Sequence, residues 1–165
     1  MPSSDEPLID DCHAAFMQRG VSIGVAACSR DAVPTLARAT GCRVRADRLQ
    51  LTVFVSATQA SPVLECIRDN GTIAVVFSEP STHRTVQIKG RDARVTGLSE
   101  SDLQLVAGYR SAFARELAPL GYDEILVRTL LSLPSADIVG ISFTPAEAYS
   151  QSPGPNAGQP LARKA

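Results

Sequence analysis

Two stretches of the chain, Ile73-Ala-Val-Val-Phe77 and Arg84-Thr-Val-Gln-Ile-Lys-Gly90, decide the fold. The first is an unbroken apolar run. The second alternates apolar and polar side chains with a period of two, which is typical of a β-strand with one buried face. The residues between them, Ser-Glu-Pro-Ser-Thr-His, are mostly turn formers. The pair predicts two neighbouring strands, and the cations on the polar face of the second suit a sheet that presents an anion-binding wall.

The composition indicates one globular domain. The chain has 165 residues, of which 44% are hydrophobic and 20% charged, and this length is enough for one well-buried core. A net charge of -1 argues against a nucleic-acid partner, which a basic excess would indicate. No apolar run approaches the ~18 residues of a membrane span, and the acidic start lacks the apolar core of a secretory signal. We therefore expect a cytoplasmic protein with neither a nucleic-acid nor a membrane partner.

Residue types that could bind a metal or act in catalysis are present, but their spacing does not indicate either role. His13 and His83 lack a Cys, Asp or Glu at metal-ligand spacing, so we interpret both as surface histidines. Asp10 and Asp11 are adjacent and do not face each other as a catalytic pair would. We name no metal site and no catalytic residue. The four cysteines are scattered without a CxxC pair and are interpreted as free thiols: Cys12, Cys28, Cys42 and Cys66.

Periodicity and capping signals predict the elements of the first half. Ser3 and Glu6 form a capping-box pattern ahead of a helix that ends at Gly20. Ser61 and Pro62 read as the N-cap and first residue of a short helix that ends at Asn70-Gly71. The strands are predicted at 21–28, 35–45 and 49–56.

The second half is predicted to add strands and the longest helix. Ser99 with Asp102 opens that helix, and Pro119-Leu-Gly121 ends it. Its apolar stripe is Leu103, Val106, Tyr109, Phe113 and Leu117. The strands are predicted at 72–78, 84–95 and 136–143, with a further helix over 123–132. Thr144-Pro-Ala-Glu147 is again a capping-box pattern with proline at the first helical position. Hairpin-type connections make the sheet mainly antiparallel.

The order and spacing of these segments resemble the pyridoxamine 5'-phosphate oxidase family, whose members bind flavin mononucleotide (FMN). In that family an Arg on strand two is followed five residues later by a Lys, and Arg38 and Arg43 reproduce this separation. A Ser-Arg-Lys triplet opens the family's short helix, where Ser61 stands here. A later strand carries Arg-Gln-Val and ends in Gly, which matches Arg84-Thr85-Val86 and Gly90. The likeness covers roughly residues 15–95.

The resemblance implies a fold, a cofactor and an assembly. The fold is mainly β with peripheral helices, a split β-barrel of about six antiparallel strands over residues 1–149. The cofactor is FMN, bound at the interface of a homodimer. The residues implied to bind it are Arg38, Arg43, Thr58, Ser61, Arg84 and Thr85.

The chemistry of a phosphate dianion explains why such residues are needed. Paired cations and hydrogen-bond donors hold the dianion, and a helix N-terminus adds free N–H groups. Residues five apart in a plain strand point to opposite faces, so Arg38 and Arg43 can converge only if the strand bulges, with Gly41 as the bulge residue.

The chain also departs from the family. Ser61-Pro62-Val63 replaces Ser-Arg-Lys, so two cations are missing, and the hydroxyl pair after strand three becomes Ser56-Ala57. The family's residues that bind vitamin B6 have no match in this chain, so we do not expect it to oxidise that vitamin. The alternatives are a non-enzymatic flavin sensor, a barrel without cofactor, or a relative that binds deazaflavin or haem. Arg38 and Arg43 can equally be solvated edge charges.

Residues 150–165 form a tail rich in Pro, Gly and Ser. Its composition favours a disordered end, and the alternative is an arm that lies along a partner subunit or a ligand crevice. Lys89 and Arg91 are placed on the outer face without a ligand role.

Overall fold

Within residues 6–161, which the computed structural model describes, four α-helices and eight strands follow one another. In chain order they are α1 (Asp11–Met17), β1 (Ser22–Cys28), β2 (Pro34–Val44), β3 (Leu51–Ser56), α2 (Ser61–Asn70), β4 (Ile73–Ser78), β5 (Thr85–Gly90), β6 (Arg94–Thr96), α3 (Glu100–Leu117), α4 (Glu124–Leu130), β7 (Ile138–Phe143) and β8 (Glu147–Ser150). The predicted order of helices and strands is confirmed through β7, except that one predicted strand is divided into β5 and β6.

The strands form one antiparallel sheet in the order β6-β7-β3-β2-β1-β4-β5-β8. The sheet bends but does not close, and among the described residues β6 and β8 are its two edges. The prediction of a mainly antiparallel split barrel is confirmed. The expected six strands become eight because one predicted strand is divided and β8 is added.

Strand β2 carries the bulge that the sequence indicated. Ala39 lies opposite Val55 and Cys42 lies opposite Val53, so Thr40 and Gly41 together face a single residue of β3. Gly41 has a φ of 142°, a backbone conformation that residues with a side chain rarely adopt. The extra residue reverses the alternation, and it bends β2 between the two halves of the sheet.

The main core lies between the inner face of the sheet and helices α1 and α2. Alternate residues of β1, β4 and β5 point into it and are buried, as the period-two pattern predicts. Helix α1 contributes Phe16 and Met17, and α2 contributes Val63, Leu64 and Ile67. Four cysteines are free, with Cys42 and Cys66 buried and Cys12 exposed.

Helix α3 covers part of the other face of the sheet. Phe54 of β3 packs there against Val106 of α3 and Ile138 of β7. A Cβ on Gly20 would lie 2.3 Å from the backbone carbon of Ala112, so the absence of a side chain at Gly20 lets α3 approach the end of α1. None of the described helices is long and apolar enough to cross a membrane.

The strand predicted over 84–95 is two strands. A bend after Gly90 separates β5 from β6, and β6 pairs with β7 instead of continuing beside β4. A Cβ on Gly90 would lie 2.5 Å from the Phe143 ring. The chain therefore passes over that ring at Gly90 and crosses to the other end of the sheet.

The helix indicated by Thr144 and Glu147 is wrong, since β8 begins at Glu147. The Thr144 amide and hydroxyl both donate to Asp92, at 2.8 and 2.7 Å, and the amide of Ala146 donates to the carbonyl of Lys89. Pairing with the open edge of β5 outweighs the local capping signal.

Two other helix starts differ from the prediction. Ser3 lies outside the described residues, and α1 begins at Asp11 with Asp10 as its N-cap, accepting from the amide of His13 at 2.8 Å. Helix α2 is capped at Ala60, so Ser61 is its first residue and makes no capping hydrogen bond. The predicted role of Ser61 as N-cap is therefore wrong.

The described part of the tail is hydrogen-bonded to the sheet. The amide of Gln151 donates to the carbonyl of Thr85 at 2.8 Å, and the amide of Leu161 donates to the carbonyl of Ala148 at 2.9 Å. Residues 151–161 thus turn back beside β8, contrary to the expectation of a disordered end.

Candidate functional site

Arg38 and Arg43 lie on the same side of β2 because of the bulge, but they do not converge. The Arg38 guanidinium lies 5.7 Å from the centre of the Phe113 ring, near the end of α3. Arg43 contacts Asp102 in the first turn of α3. About three turns of that helix, roughly 16 Å, separate the two contacts. A single phosphate cannot be held by both side chains in this arrangement.

Arg43 is paired with a buried carboxylate. Its Nε lies 3.0 Å from Oδ1 of Asp102, whose side chain is only 4% exposed. The other Asp102 oxygen accepts from the Ser99 amide at 3.0 Å and completes the capping box of α3. Oδ1 has no aligned hydrogen bond, so the positive charge of Arg43 is what compensates it. Arg43 therefore anchors the start of α3.

Thr58 is likewise bound to a carboxylate of the chain itself. Oδ1 of Asp137 accepts from the amide and the hydroxyl of Thr58, at 3.0 and 2.6 Å, and Oδ2 accepts from the Ser56 hydroxyl. The Ser56 hydrogen bond, followed by those from Thr58, lowers the pKa of Asp137 below its ordinary value. The hydrogen-bond donors of Ser56 and Thr58, at the end of β3, are thus already bound to the carboxylate of Asp137.

Ser61 and Arg84 also have partners within the chain. The Ser61 hydroxyl donates to Oε1 of Glu65 at 3.3 Å, one turn later in α2. The Arg84 guanidinium stacks 4.3 Å from the centre of the Phe16 ring in α1. The cation–π contact turns Arg84 toward α1.

Arg38 and Thr85 belong to a different surface, which we call the open face. It consists of the outward side chains of β1, β4, β5 and β8 with the adjoining part of β2. The strand registers place these residues on one side of the sheet, and each is half-buried or exposed. The open face comprises Leu36, Arg38, Ser22, Gly24, Ala26, Ala74, Val76, Ser78, Thr85, Gln87, Lys89, Glu147 and Tyr149.

One end of the open face is a row of hydroxyl groups beside Arg38. Ser22, Ser78 and Thr85 lie opposite one another on three adjacent strands. Arg38 Nη1 donates to the Ser22 hydroxyl at 3.3 Å, and the Ser78 and Thr85 hydroxyls are 2.8 Å apart. Among residues 6–161 Arg38 makes no ion pair, since its polar contact is to Ser22. The row therefore combines a cation with hydroxyl donors, without a competing carboxylate.

The middle of the open face is flat and apolar. Gly24 and Ala26 of β1 lie beside Val76 and Ala74 of β4, respectively. These side chains are small, so a planar group can approach the sheet closely there. The alternate residues of the same strands are buried in the core and hold this floor in place.

The other end of the open face is a charged cluster at the rim of a crevice of about 410 Å³. Arg91 Nη2 lies 2.9 Å from Oε1 of Glu147, and the Tyr149 hydroxyl donates to Oε2 at 2.6 Å. The Lys89 ammonium lies 5.1 Å from the centre of the Tyr149 ring. We call Lys89, Arg91, Glu147 and Tyr149 the rim cluster.

The charges of the rim cluster shift one another's protonation. The hydrogen bond from Tyr149, followed by that from Arg91, lowers the pKa of Glu147 below its ordinary value. The same Glu147 hydrogen bond raises the pKa of Tyr149. Glu147 is therefore ionised and Tyr149 neutral near neutral pH.

The rim cluster was not identified from the sequence. Lys89 shares the alternation of Thr85 and Gln87, so the period-two pattern could have placed all three on one face. Glu147 and Tyr149 could not be placed there, because their segment read as a helix start. The sequence predicts Lys89 and Arg91 as charges of the outer face. In the structure they lie beside Glu147 and Tyr149.

The open face and the surroundings of Arg43, Thr58 and Ser61 differ in how well they could hold FMN. Arg43, Thr58 and Ser61 do not suit its phosphate, because Asp102, Asp137 and Glu65 hold their donors and would repel a dianion. The open face does suit it: Arg38 and the hydroxyl row offer donors for the phosphate, and the apolar floor matches a flat ring.

Metal binding finds no support in the described part of the chain. Within residues 6–161 no group of three or more His, Cys, Asp or Glu side chains is arranged to hold a metal ion. His83 is exposed in its turn. His13 is partly buried rather than a free surface histidine, and its Nδ1 lies 2.7 Å from Oδ1 of Asp10, three residues earlier.

Comparison with known proteins finds relatives by structure alone. No protein-family model matches the sequence, and no curated protein matches it. An F420 reductase aligns with a TM-score of 0.56 at 14% identity, over 85% of this chain and 98% of its own. HupZ of Group A Streptococcus aligns with a TM-score of 0.54 at 16% identity, over 91% and 99%.

A third structure connects the fold with the sequence resemblance. A candidate pyridoxamine 5'-phosphate oxidase from Lactobacillus delbrueckii aligns with a TM-score of 0.52. The identity is 10%, over 86% of this chain and 93% of the other. At such identities the likeness concerns the fold. The chain therefore has the split-barrel fold of the pyridoxamine 5'-phosphate oxidase-like proteins, as the sequence resemblance predicted.

Proposed function

We propose that this chain is a homodimeric FMN-binding protein that holds the flavin on its open face. The observation that carries the proposal is the arrangement of that face: an unpaired arginine and a hydroxyl row at one end, followed by a flat apolar floor. The sequence resemblance to an FMN-binding family supports the choice of cofactor.

The phosphate would be held by Arg38 with the hydroxyls of Ser22, Ser78 and Thr85. A guanidinium donates two parallel hydrogen bonds to a phosphate, and a charge-assisted bond contributes roughly 1.5–3 kcal/mol. Arg38 is exposed and its present bond to Ser22, at 3.3 Å, is long. It can therefore turn toward a ligand without uncovering a buried charge.

The ring would lie on the floor formed by Gly24, Ala26, Ala74 and Val76. FMN supplies electron-transfer chemistry when bound, and the protein supplies the orientation of the ring. Gln87 borders the floor, and its Oε1 accepts from Gln151 at 3.3 Å. That contact leaves the Gln87 amide hydrogens available to a polar edge of the ring. No residue of the open face is assigned as a catalytic acid or base.

A second copy of the chain would cover the open face. Leu36 is 77% exposed at its margin, and the floor itself is apolar. Burial of such a surface favours association. In the family that the sequence resembles the cofactor lies between two subunits, which supports a flavin site that forms together with the dimer.

Titration with FMN and with riboflavin tests the proposal. Quenching of flavin fluorescence should give at least a tenfold tighter dissociation constant for FMN than for riboflavin, because riboflavin lacks the phosphate that Arg38 would bind. Light scattering after gel filtration should report about 35 kDa, twice the mass of the 17.5 kDa chain. Equal affinities would contradict the phosphate anchor, and a monomer would contradict the interface.

A barrel without cofactor is the second candidate function. This candidate is favoured because Asp102 and Asp137 already bind Arg43 and Thr58, two of the residues that the sequence resemblance assigned to the cofactor. In that case neither flavin would be quenched at micromolar protein concentration. The visible absorption spectrum of the purified protein distinguishes this outcome from a bound flavin, deazaflavin or haem.

A further inference from the structure

The crevice at the rim cluster has the features of a small-molecule site, and it shares Ala26 and Ala74 with the apolar floor of the open face. Its volume of about 410 Å³ falls within the range of roughly 300–1,000 Å³ for ligand pockets. Its floor is apolar and consists of small side chains from three neighbouring strands: Ala26, Cys28, Pro34 and Ala74. A planar apolar body suits such a floor.

The charges at the crevice specify the sign of the ligand. Lys89, Arg91 and Glu147 all line it, and they carry two positive charges against one negative. Both oxygens of Glu147 are engaged, one by Arg91 and one by Tyr149. Within residues 6–161 the Lys89 ammonium lies over the Tyr149 ring and makes no hydrogen bond, although its charge acts on Glu147. Lys89 also lines the crevice, so its ammonium is available there to an anionic ligand.

We propose that this crevice binds a small planar molecule that carries one carboxylate, with the apolar body on the floor and the carboxylate on Lys89 and Arg91. One net positive charge matches a monoanion, and the Lys89 ammonium can donate to it without breaking another hydrogen bond. The ring of Tyr149, already stacked under Lys89, borders the same rim. Binding here needs no flavin and does not rest on the proposed function, but a flavin ring on Ala26 and Ala74 would compete with this ligand for the shared floor.

Cys28 provides a reporter within the crevice. It shares the outward side of β1 with Ala26 and is half-buried, whereas Cys42 and Cys66 are buried. Burial also raises the pKa of the Cys42 thiol and makes it unreactive. In a Cys12→Ser background, alkylation therefore reports mainly on Cys28, and a ligand on the floor should protect it.

The test uses 1-naphthoate as the anionic probe and 1-naphthalenemethanol as the neutral match. Calorimetric titration of the full-length flavin-free protein should show saturable binding of 1-naphthoate, at least about tenfold tighter than the alcohol. Lys89→Met should weaken 1-naphthoate binding by a similar factor. Arg68→Met, which removes an exposed cation on α2 outside the crevice, should leave it unchanged. Glu147→Gln should strengthen it, because the net positive charge increases.

The outcomes separate cleanly. Binding of 1-naphthoate that slows iodoacetamide modification of Cys28 and depends on Lys89 supports the site. The proposal is overturned by no binding at millimolar probe, by equal affinity for the alcohol, by insensitivity to Lys89→Met, or by unprotected Cys28. Failure of FMN to bind the protein would leave all of these results intact.

Discussion

Two regions of this barrel both carry arginines and hydroxyls, but they use them differently. We call the covered face the region where α3 packs against β2 and the end of α1, together with the adjoining ends of β3 and β7. There Arg43 is paired with Asp102 and Thr58 with Asp137. On the open face, the contacts that Arg38 makes within residues 6–161 are with the Ser22 hydroxyl and the Phe113 ring, and none of them is an ion pair. Cations that the chain neutralises itself stabilise the fold, whereas those left unpaired on a flat surface are available to a ligand.

The first prediction compares two glycines from these regions and has the largest expected effect. Gly20→Ala would place a Cβ 2.3 Å from the backbone of Ala112, and α3 would have to shift. We expect a loss of about 3 kcal/mol in the free energy of unfolding. Gly24→Ala, on the open face, meets its nearest atom at 4.0 Å and should leave monomer stability unchanged or slightly raised.

Urea denaturation of both variants checks this difference. Gly24→Ala should instead weaken dimerisation or flavin binding, since it raises the apolar floor. A Gly20→Ala variant as stable as the wild type would contradict the close packing of α3 on the covered face.

The second prediction concerns the buried carboxylate of the covered face. Asp102→Asn removes the charge that faces Arg43 and weakens the capping box of α3. The expected loss is about 2 kcal/mol in the free energy of unfolding, from the cap and from an ion pair with one half-exposed partner. Glu100→Gln, an exposed neighbour in the same first turn, is the matched control and should cost only a few tenths of a kcal/mol. A similar loss in both variants would show that the Arg43 contact is unimportant.

How far the sequence predicts the two regions depends on the range of the signals. The alternation in β1 and β5 and the bulge at Gly41 are local signals, and the sequence predicts them correctly, whereas β3 is buried on both faces and does not alternate. The partners of Arg43 and Thr58 are remote, since Asp102 and Asp137 come from α3 and from the segment before β7. No spacing rule reveals a carboxylate that the fold brings in from such a distance.

Strand β8 shows a second limit. Thr144 and Glu147 have the composition of a helix start, yet the segment pairs with the free edge of β5. Tertiary pairing outweighs local propensity at a sheet edge. The rim cluster depends on this pairing, which is why Glu147 and Tyr149 were missed together.

The third prediction concerns the pH dependence that Asp137 gives to the covered face. Hydrogen bonds from Ser56 and Thr58 lower its pKa from the ordinary value of 3.8. The ionised form is thus favoured in the folded state, and its stabilisation is fully present above the unfolded pKa. It is lost as the pH falls through the lower folded pKa. Asp137→Asn should therefore show a smaller fall in stability between about pH 5 and pH 3 than the wild type.

Urea titrations across this range measure that slope. Thr58→Val should reduce the slope in the same direction, because it removes the hydroxyl that donates to Asp137. It should leave FMN affinity unchanged, since Thr58 is assigned to the fold. Parallel pH profiles in all three proteins would contradict the assigned hydrogen bonds.

The division between the two faces is tested most directly by Arg38→Met and Arg43→Met, each measured for urea stability and for FMN affinity. We predict that Arg38→Met weakens FMN binding at least tenfold, the size of one charge-assisted hydrogen bond, with stability unchanged. Arg43→Met should lose about 1 kcal/mol of stability, since it leaves Asp102 unpaired while Arg43 itself is partly exposed, and should keep its FMN affinity. The reverse pattern, with FMN affinity lost in Arg43→Met and retained in Arg38→Met, would contradict the assignment of the ligand to the open face.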